Sequence, residues 1–149
     1  MKSLPIAVIV IPTYNEADSI GKMIDHLFTI TFPKIKDWHC QVLVVDDTSP
    51  DGTYKVVQTK QKTYKDLFLS LSPTKAGIGG AYVRGFAYAM KELHADVVIE
   101  FDGDFQHPPK TIPEMLRAIT DGNDYVLGSR KIKGGSNPKG WGFKRLFFS

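Results

Sequence analysis

The sequence has little of what would mark a membrane span, a disulfide scaffold or a familiar nucleotide loop. It contains one cysteine, Cys40, so no intrachain disulfide can form. Its longest apolar run, residues 6–11, falls far short of the ~18 residues a membrane helix needs. The opening stretch MKSLPIAVIV has one lysine and no small-residue cleavage site, so it reads as a first strand and not as a signal peptide. No Cys/His spacing fits a zinc site, and there are no repeats or low-complexity segments. No glycine-rich loop ends in Gly-Lys-Ser/Thr, which excludes a P-loop. Gly77-x-Gly79 has Tyr82 where a dinucleotide-binding turn needs a third glycine. The last shortage is of acid. All 16 acidic residues lie between Glu16 and Asp124, so residues 1–124 carry a formal charge of −3 and the last 25 carry +6. That basic end reads either as a solvated tail or as a cationic flap over an anionic ligand.

At 149 residues, 42% hydrophobic and 23% charged, the chain has the size and composition of a single soluble domain. Residues 6–11 are a continuous apolar, β-branched run of strand length, 41–45, 67–71 and 96–101 are mainly apolar segments that also read as strands, and 125–127 is a shorter fifth candidate. Helical spacing falls at 17–28 with Asn15 as its cap, at 54–60, at 81–93, and from a Thr111/Glu114 capping box to about 120. Gly77, Gly79 and Gly80 allow a tight turn and close helix packing. Strands alternating with helices predict an open, mostly parallel α/β sheet with helices on both faces. In the common strand order 3-2-1-4, ligands bind at the carboxyl ends of the strands near the point where the order reverses. Residues 12–16, Asp46 with Asp47, and residues 102–106 would then converge.

The stretch VVIEFDGDFQHPP, residues 97–109, sets the chemistry. A buried strand stops at Asp102-Gly103-Asp104 and presents two carboxylates at the sheet's rim. Hard oxygens in that arrangement suit Mg²⁺ or Mn²⁺ that also holds substrate phosphates. His26, His39 and His94 read as structural or exposed, and His107 as a residue that orders the acidic loop.

Five stretches carry a resemblance. They are Pro12-Thr13-Tyr14-Asn15-Glu16; Val44-Val45-Asp46-Asp47 through Ser49-Pro50-Asp51-Gly52-Thr53; residues 75–85; residues 102–109; and Gly128-Ser129-Arg130 with the later glycines and Trp141. In this order and at these spacings the chain resembles the family 2 glycosyltransferases of the GT-A fold, and within them the polyprenyl-phosphate (dolichol-phosphate) mannosyltransferases. The resemblance implies that Pro12, Tyr14 and Glu16 hold the donor's nucleoside, and that Val45 and Asp47 contact base and ribose. It implies that Asp102, Gly103, Asp104 and Gln106 serve metal and diphosphate, with Asp102, Asp104 and Gln106 as the metal set. Arg130 and Arg145 match basic residues on the phosphates, so that Asp104, Arg130 and Arg145 form the catalytic group. Alanine is usual in the family where Gly103 stands, and that difference is expected to change little.

The resemblance further implies transfer of a hexose, mannose from GDP-mannose first and glucose from UDP-glucose second, to a polyprenyl or dolichyl phosphate with inversion. It implies a metal-assisted enzyme working peripherally at the cytoplasmic face of a membrane, held there by C-terminal elements beyond Ser149. Against that length the chain reads as one catalytic domain, incomplete at its C-terminus, with a mobile flap at 128–142. A binding fragment without turnover is the alternative. Nucleic acid is not an expected partner, because the basic end lacks interleaved aromatics before Trp141.

Overall fold

The computed structural model describes residues 3–75 and 77–129. The chain forms two compact units, Met1–Lys110 and Thr111–Ser149. In the first unit β1 (Ile6–Thr13), β2 (His39–Asp46), β3 (Leu67–Leu71) and β4 (Val97–Glu100) form one sheet in the order β3-β2-β1-β4. Every pairing is parallel, with Ile6 opposite His39 and Ala7 opposite Val97. This is the expected order, and it makes β1 the neighbour of both β2 and β4.

The sheet is buried on both faces because β1 from residue 6 to 12 and β2 from residue 42 to 45 carry only apolar side chains. Val8, Val10, Leu43 and Val45 form a core with Ala81, Ala89 and Leu93, the first two from α3 (Gly77–Lys91) and Leu93 just beyond it. The alternate residues Ala7, Ile9, Ile11, Val42 and Val44 are equally inaccessible, so the opposite face is covered as well. Side chains one residue apart on a strand point to opposite faces. Helix α1 (Ala17–His26) buries Ile20, Met23 and Ile24, and packs beside α2 (Thr53–Gln61). Asp25 joins the two helices by accepting from Lys60 Nζ at 2.5 Å and Tyr64 Oη at 2.9 Å.

Local details depart from the sequence reading. The α1 pattern continues through a π-helical turn, Leu27–Thr31, and a 3₁₀ turn, Phe32–Lys34, before the chain leaves it. Helix α3 begins one turn earlier than expected, at Gly77, whose φ of +72° is a glycine conformation. The close helix–sheet approach lies further on, at Gly85, whereas a Cβ at Gly79 would meet nothing. In the second unit α4 (Ile112–Thr120) follows directly from a 3₁₀ turn, Pro109–Thr111. Thr111 is therefore already helical (φ −81°, ψ −21°) and makes no side-chain cap, so the expected capping box does not form. Residues 125–127 form no strand: among the described residues nothing pairs with them, and Tyr125 and Leu127 are exposed. A run of three residues offers too few ladder bonds to be held without a partner.

Candidate functional site

Three loops meet at the carboxyl ends of β1, β2 and β4. The first two are stitched together. Asp46, fully buried at the end of β2, accepts from Thr13 Oγ1 at 2.8 Å, from the Ser49 amide at 2.8 Å and from Ser49 Oγ at 2.7 Å. Ser49 Oγ receives the Asn15 amide, Thr53 Oγ1 receives the Glu16 amide and Asp51 Oδ2 receives the Ala17 amide, each at 2.9–3.0 Å. Asn15 therefore does not cap α1. Its backbone is left-handed (φ +59°), and the amides at the start of α1 are satisfied from the following loop instead. Burial pushes the Asp51 carboxyl up, but hydrogen bonds from the Thr53 hydroxyl and from the Ala17 and Thr53 amides outweigh it and hold the group below its ordinary value. Gly52, at φ +86°, makes the turn into α2. The Ser-Pro-Asp-Gly-Thr stretch is thus a clamp for the Pro-Thr-Tyr-Asn-Glu loop.

The β4 loop is built differently. Asp104 Oδ1 accepts from the Gln106 amide at 2.9 Å and Oδ2 from Gln106 Nε2 at 2.7 Å, so the loop bonds chiefly to itself. Among the described residues the contacts of the Asp102 side chain are long, 3.4 Å from Tyr82 Oη and 3.5 Å from His107 Nδ1, and the His107 ring stands edge-on to Phe101. His107 thus lies beside the acidic loop it is expected to order. Phe105, at φ +63°, leans on the His26 ring. Asn15, Thr48 and Phe105 give each of the three loops one non-glycine left-handed residue, a form of strain that gathers at functional sites.

Glu16 reaches from the first loop to the third. Its Oε2 is buried without a hydrogen-bond partner and occupies the space a Cβ at Gly103 would fill. Burial first, then the charges of Asp104, Asp102, Asp46 and Asp51, push its carboxyl up to about 7. Alanine at 103 would therefore require the Glu16 carboxylate, the end of a flexible side chain, to move.

Beside these loops lies a pocket of about 160 Å³ lined by Pro12, Thr13, Tyr14, Glu16, Asp47, Lys75, Gly77, Ile78 and Ala81. It is smaller than the ~300 Å³ of ordinary small-molecule clefts, which fits a part of a ligand. The Lys75 ammonium stands 3.5 Å from the centre of the Tyr14 ring. Asp47 is paired with Arg84 of α3. The structure thus gathers Pro12, Tyr14, Glu16 and Asp47 at one cavity, and Asp102, Gly103, Asp104 and Gln106 at the neighbouring strand end. Val45 stands apart: its side chain is in the α3 core against Gly85. Lys75 and Arg84 were not anticipated, although the three-residue step from Ala81 to Arg84 puts both on one face of α3. Arg130, Arg145 and the flap from residue 130 onward lie outside the described residues, as does the aromatic stretch from Trp141.

The donor set fits a hard divalent cation. Asp102, Asp104 and Gln106 offer oxygen ligands, and the charges of Asp104 and Asp102 add to burial in pushing the neighbouring Glu16 carboxyl up. Among the described residues no three His, Cys, Asp or Glu side chains are grouped to hold a metal alone. Such an ion would take one or two carboxylates and complete its shell with phosphate oxygens.

Comparison with known proteins gives a consistent set. The model of "Glycosyl transferase family 2" matches residues 8–148. The chain is 36% identical over 141 residues to the dolichol-phosphate mannosyltransferase of Pyrococcus furiosus, covering 95% of this chain and 37% of that protein. It is 37% identical over 128 residues to the undecaprenyl-phosphate mannosyltransferase of Micrococcus luteus, covering 85% and 49%. It is 32% identical over 143 residues to the polyprenol monophosphomannose synthase of Mycolicibacterium smegmatis, covering 95% and 51%. The chain therefore spans about half or less of these relatives' length. Among solved structures it shares its fold with a mannosyltransferase from Pyrobaculum calidifontis in complex with GDP-Man and Mn²⁺ (TM-score 0.62, 24% identity, 80% of this chain and 34% of that one). S. aureus TarS 1-349 is similar too (TM-score 0.58, 25% identity, 85% and 39%). The parallel sheet flanked by helices is a GT-A glycosyltransferase fold.

Proposed function

The chain belongs to glycosyl transferase family 2, and from that premise we propose that it is the donor-binding part of an enzyme that transfers mannose from GDP-mannose to a polyprenyl phosphate, with inversion. The observation that carries the reading is the convergence of a small cavity at the ends of β1 and β2 with an acidic, self-bonded loop at the end of the adjacent β4. A nucleotide-sugar has that polarity, a ring system at one end and a diphosphate at the other. The names of the three relatives favour mannose and a polyprenyl phosphate.

In this reading Tyr14, Pro12 and Asp47 take the nucleoside, and Asp102, Asp104 and Gln106 hold Mg²⁺ or Mn²⁺ against the diphosphate. The metal would neutralise charge that develops on the leaving diphosphate. Arg130 and Arg145 are assigned to the phosphates as bidentate donors. No general base is required of the chain. A phosphate monoester has its second pKa near ~6, so the acceptor oxygen is already an anionic nucleophile at neutral pH. Attack on the face opposite the diphosphate forms the new bond from phosphate oxygen to the anomeric carbon as the bond to the diphosphate breaks, and so inverts the centre. The acceptor's lipid tail would place this chemistry at a membrane surface, which we assign to the cytoplasmic face. Among the described residues no helix is long and apolar enough to cross a membrane.

Calorimetric titration with GDP-mannose and UDP-glucose, with and without Mn²⁺, tests the reading. Saturable, Mn²⁺-dependent binding with GDP-mannose preferred is the expected result. Preference for UDP-glucose would change donor and sugar, and binding undiminished in excess chelator would remove the metal.

A further inference from the structure

Gly85 brings α3 against the sheet. A Cβ there would stand 2.5 Å from Val10 Cγ1 and 3.0 Å from Val45 Cγ2, so no larger residue permits this approach. The residue before it, Arg84, is thereby delivered to the end of β2, where its Nη2 donates to Asp47 Oδ1. Asp47 is nearly buried, with 5% of its side chain accessible against 32% for Arg84. The Arg84 Nε is buried and has no acceptor. As a stability device this is a poor arrangement. Ion pairs taken out of water are often replaced by apolar side chains with no loss, or with a gain. Its place in the molecule gives it another use, since Asp47 lines the pocket and Arg84 stands behind it.

We infer that Arg84 is a positioning residue for nucleotide recognition: it holds the Asp47 carboxylate in the orientation that meets the nucleoside and offsets its charge in a cleft that must also admit a diphosphate. The inference rests on the reading of the pocket as the donor's nucleoside site. Arg84 acts through Asp47 and does not itself touch the ligand, which separates it from the basic residues assigned to the phosphates. A lysine at 84 supplies the charge but only a flexible point donor, whereas the guanidinium supplies a fixed direction.

The test uses the 149-residue chain, GDP as the calorimetric probe and the thermal midpoint of each variant. Arg84→Met leaves the nearly buried Asp47 carboxylate without this partner and should lower the midpoint, while weakening GDP about tenfold, the scale of a charge-assisted hydrogen bond misdirected. Arg84→Lys should recover part of that loss. Asp47→Ala should add less than about twofold on top of Arg84→Met, because the two act as one unit. GDP affinity unchanged in Arg84→Met, or full additivity with Asp47→Ala, would overturn the inference. Should Arg84→Met fail to fold, Arg84→Lys and its cycle with Asp47→Ala decide the question by the same additivity criterion. If the wild-type chain does not bind GDP saturably, or Asp47→Ala binds it unchanged, the nucleoside reading itself falls and the role of Arg84 with it.

Discussion

The loops that follow β2 and β4 look alike in sequence, each a short polar stretch with two or three acids, and they are built on opposite principles. After β2, Asp46, Ser49, Asp51 and Thr53 commit their oxygens to amides and hydroxyls of the β1 loop and of one another. After β4, among the described residues, the Asp104 carboxylate bonds within its own turn and Asp102 has only long contacts. A carboxylate that accepts several short bonds from fixed donors is part of the scaffold. One whose oxygens meet few fixed donors, beside a buried glutamate that burial first and these charges second push up to about 7, keeps lone pairs for a cation. Counting acids in a loop does not separate these roles; counting the donors already aimed at them does.

The comparison breaks first at Asp46. Asp46→Ala strands the Thr13 hydroxyl and both Ser49 donors in a site with no access to water. The expected loss is about 3 kcal/mol of unfolding free energy, read from the urea midpoint and independent of nucleotide or metal. A change within about 0.5 kcal/mol would show that the clamp is replaceable by water.

Asp104→Asn should do the reverse. Its partner Gln106 is exposed and local, so stability should move by no more than about 0.5 kcal/mol. Mn²⁺-dependent binding of GDP-mannose should weaken at least about tenfold, because one of the two carboxylate charges assigned to the cation is removed. Equal losses of stability and affinity would mean that the β4 loop, too, is scaffold.

How much of this was legible in the sequence follows from the range of the forces. The four strands and their order were readable because short apolar runs between helical patterns admit few arrangements, and residues 6–11 and 42–45, apolar throughout, suit the centre of the sheet. The convergence of residues 12–16, Asp47 and 102–106 followed from that order. Hydrogen bonds between loops were not readable. Nothing in the chain says that the amides at the start of α1 are capped from Asp51 and Thr53, 34 to 37 residues away, when Asn15 stands beside them. Arg84 was hidden for a similar reason: on an amphipathic helix a lone arginine reads as surface, and only the approach at Gly85 carries it to Asp47. The short run 125–127 shows the opposite error, a strand-like composition with no described strand to pair with.

A third expected outcome concerns pH. The folded chain, without a cation, holds the Glu16 proton up to about 7, whereas the unfolded chain releases it near 4.5. Between these values the folded state binds more protons, so this group's contribution is complete below about 4.5 and is lost as pH rises through about 7. Asp25 and Asp51, both held below their usual 3.8, act in a separate and more acidic window. Burial of Glu16 is partial, so the effect should be a modest fall of the thermal midpoint between about pH 5 and pH 8 in chelator. Glu16→Gln should lack that fall. A parallel profile in the two proteins would mean that Glu16 is solvated and ionised throughout.

The smallest and sharpest effect should come from Gly103→Ala. The backbone there is not left-handed, so alanine is conformationally allowed, and its unfolded state is restrained by about 0.4–1 kcal/mol relative to glycine. Its Cβ would touch Ile11 Cγ2 and Ile20 Cδ1 at 3.4 Å, which is ordinary contact, but it would take the place of Glu16 Oε2. That oxygen ends a flexible side chain and makes no hydrogen bond, so it can leave at little cost. Net stability at low pH should therefore change by less than about 1 kcal/mol. The pH profile should change more. Once the carboxyl swings into water the burial that dominates its shift is gone, and the fall between about pH 5 and pH 8 should largely disappear, as in Glu16→Gln. A Gly103→Ala chain that keeps the wild-type pH slope would show that Glu16 does not lie over residue 103. A loss of more than about 2 kcal/mol would show that the carboxyl cannot leave, and that the β1 and β4 loops are locked together as firmly as the β1 and β2 loops are.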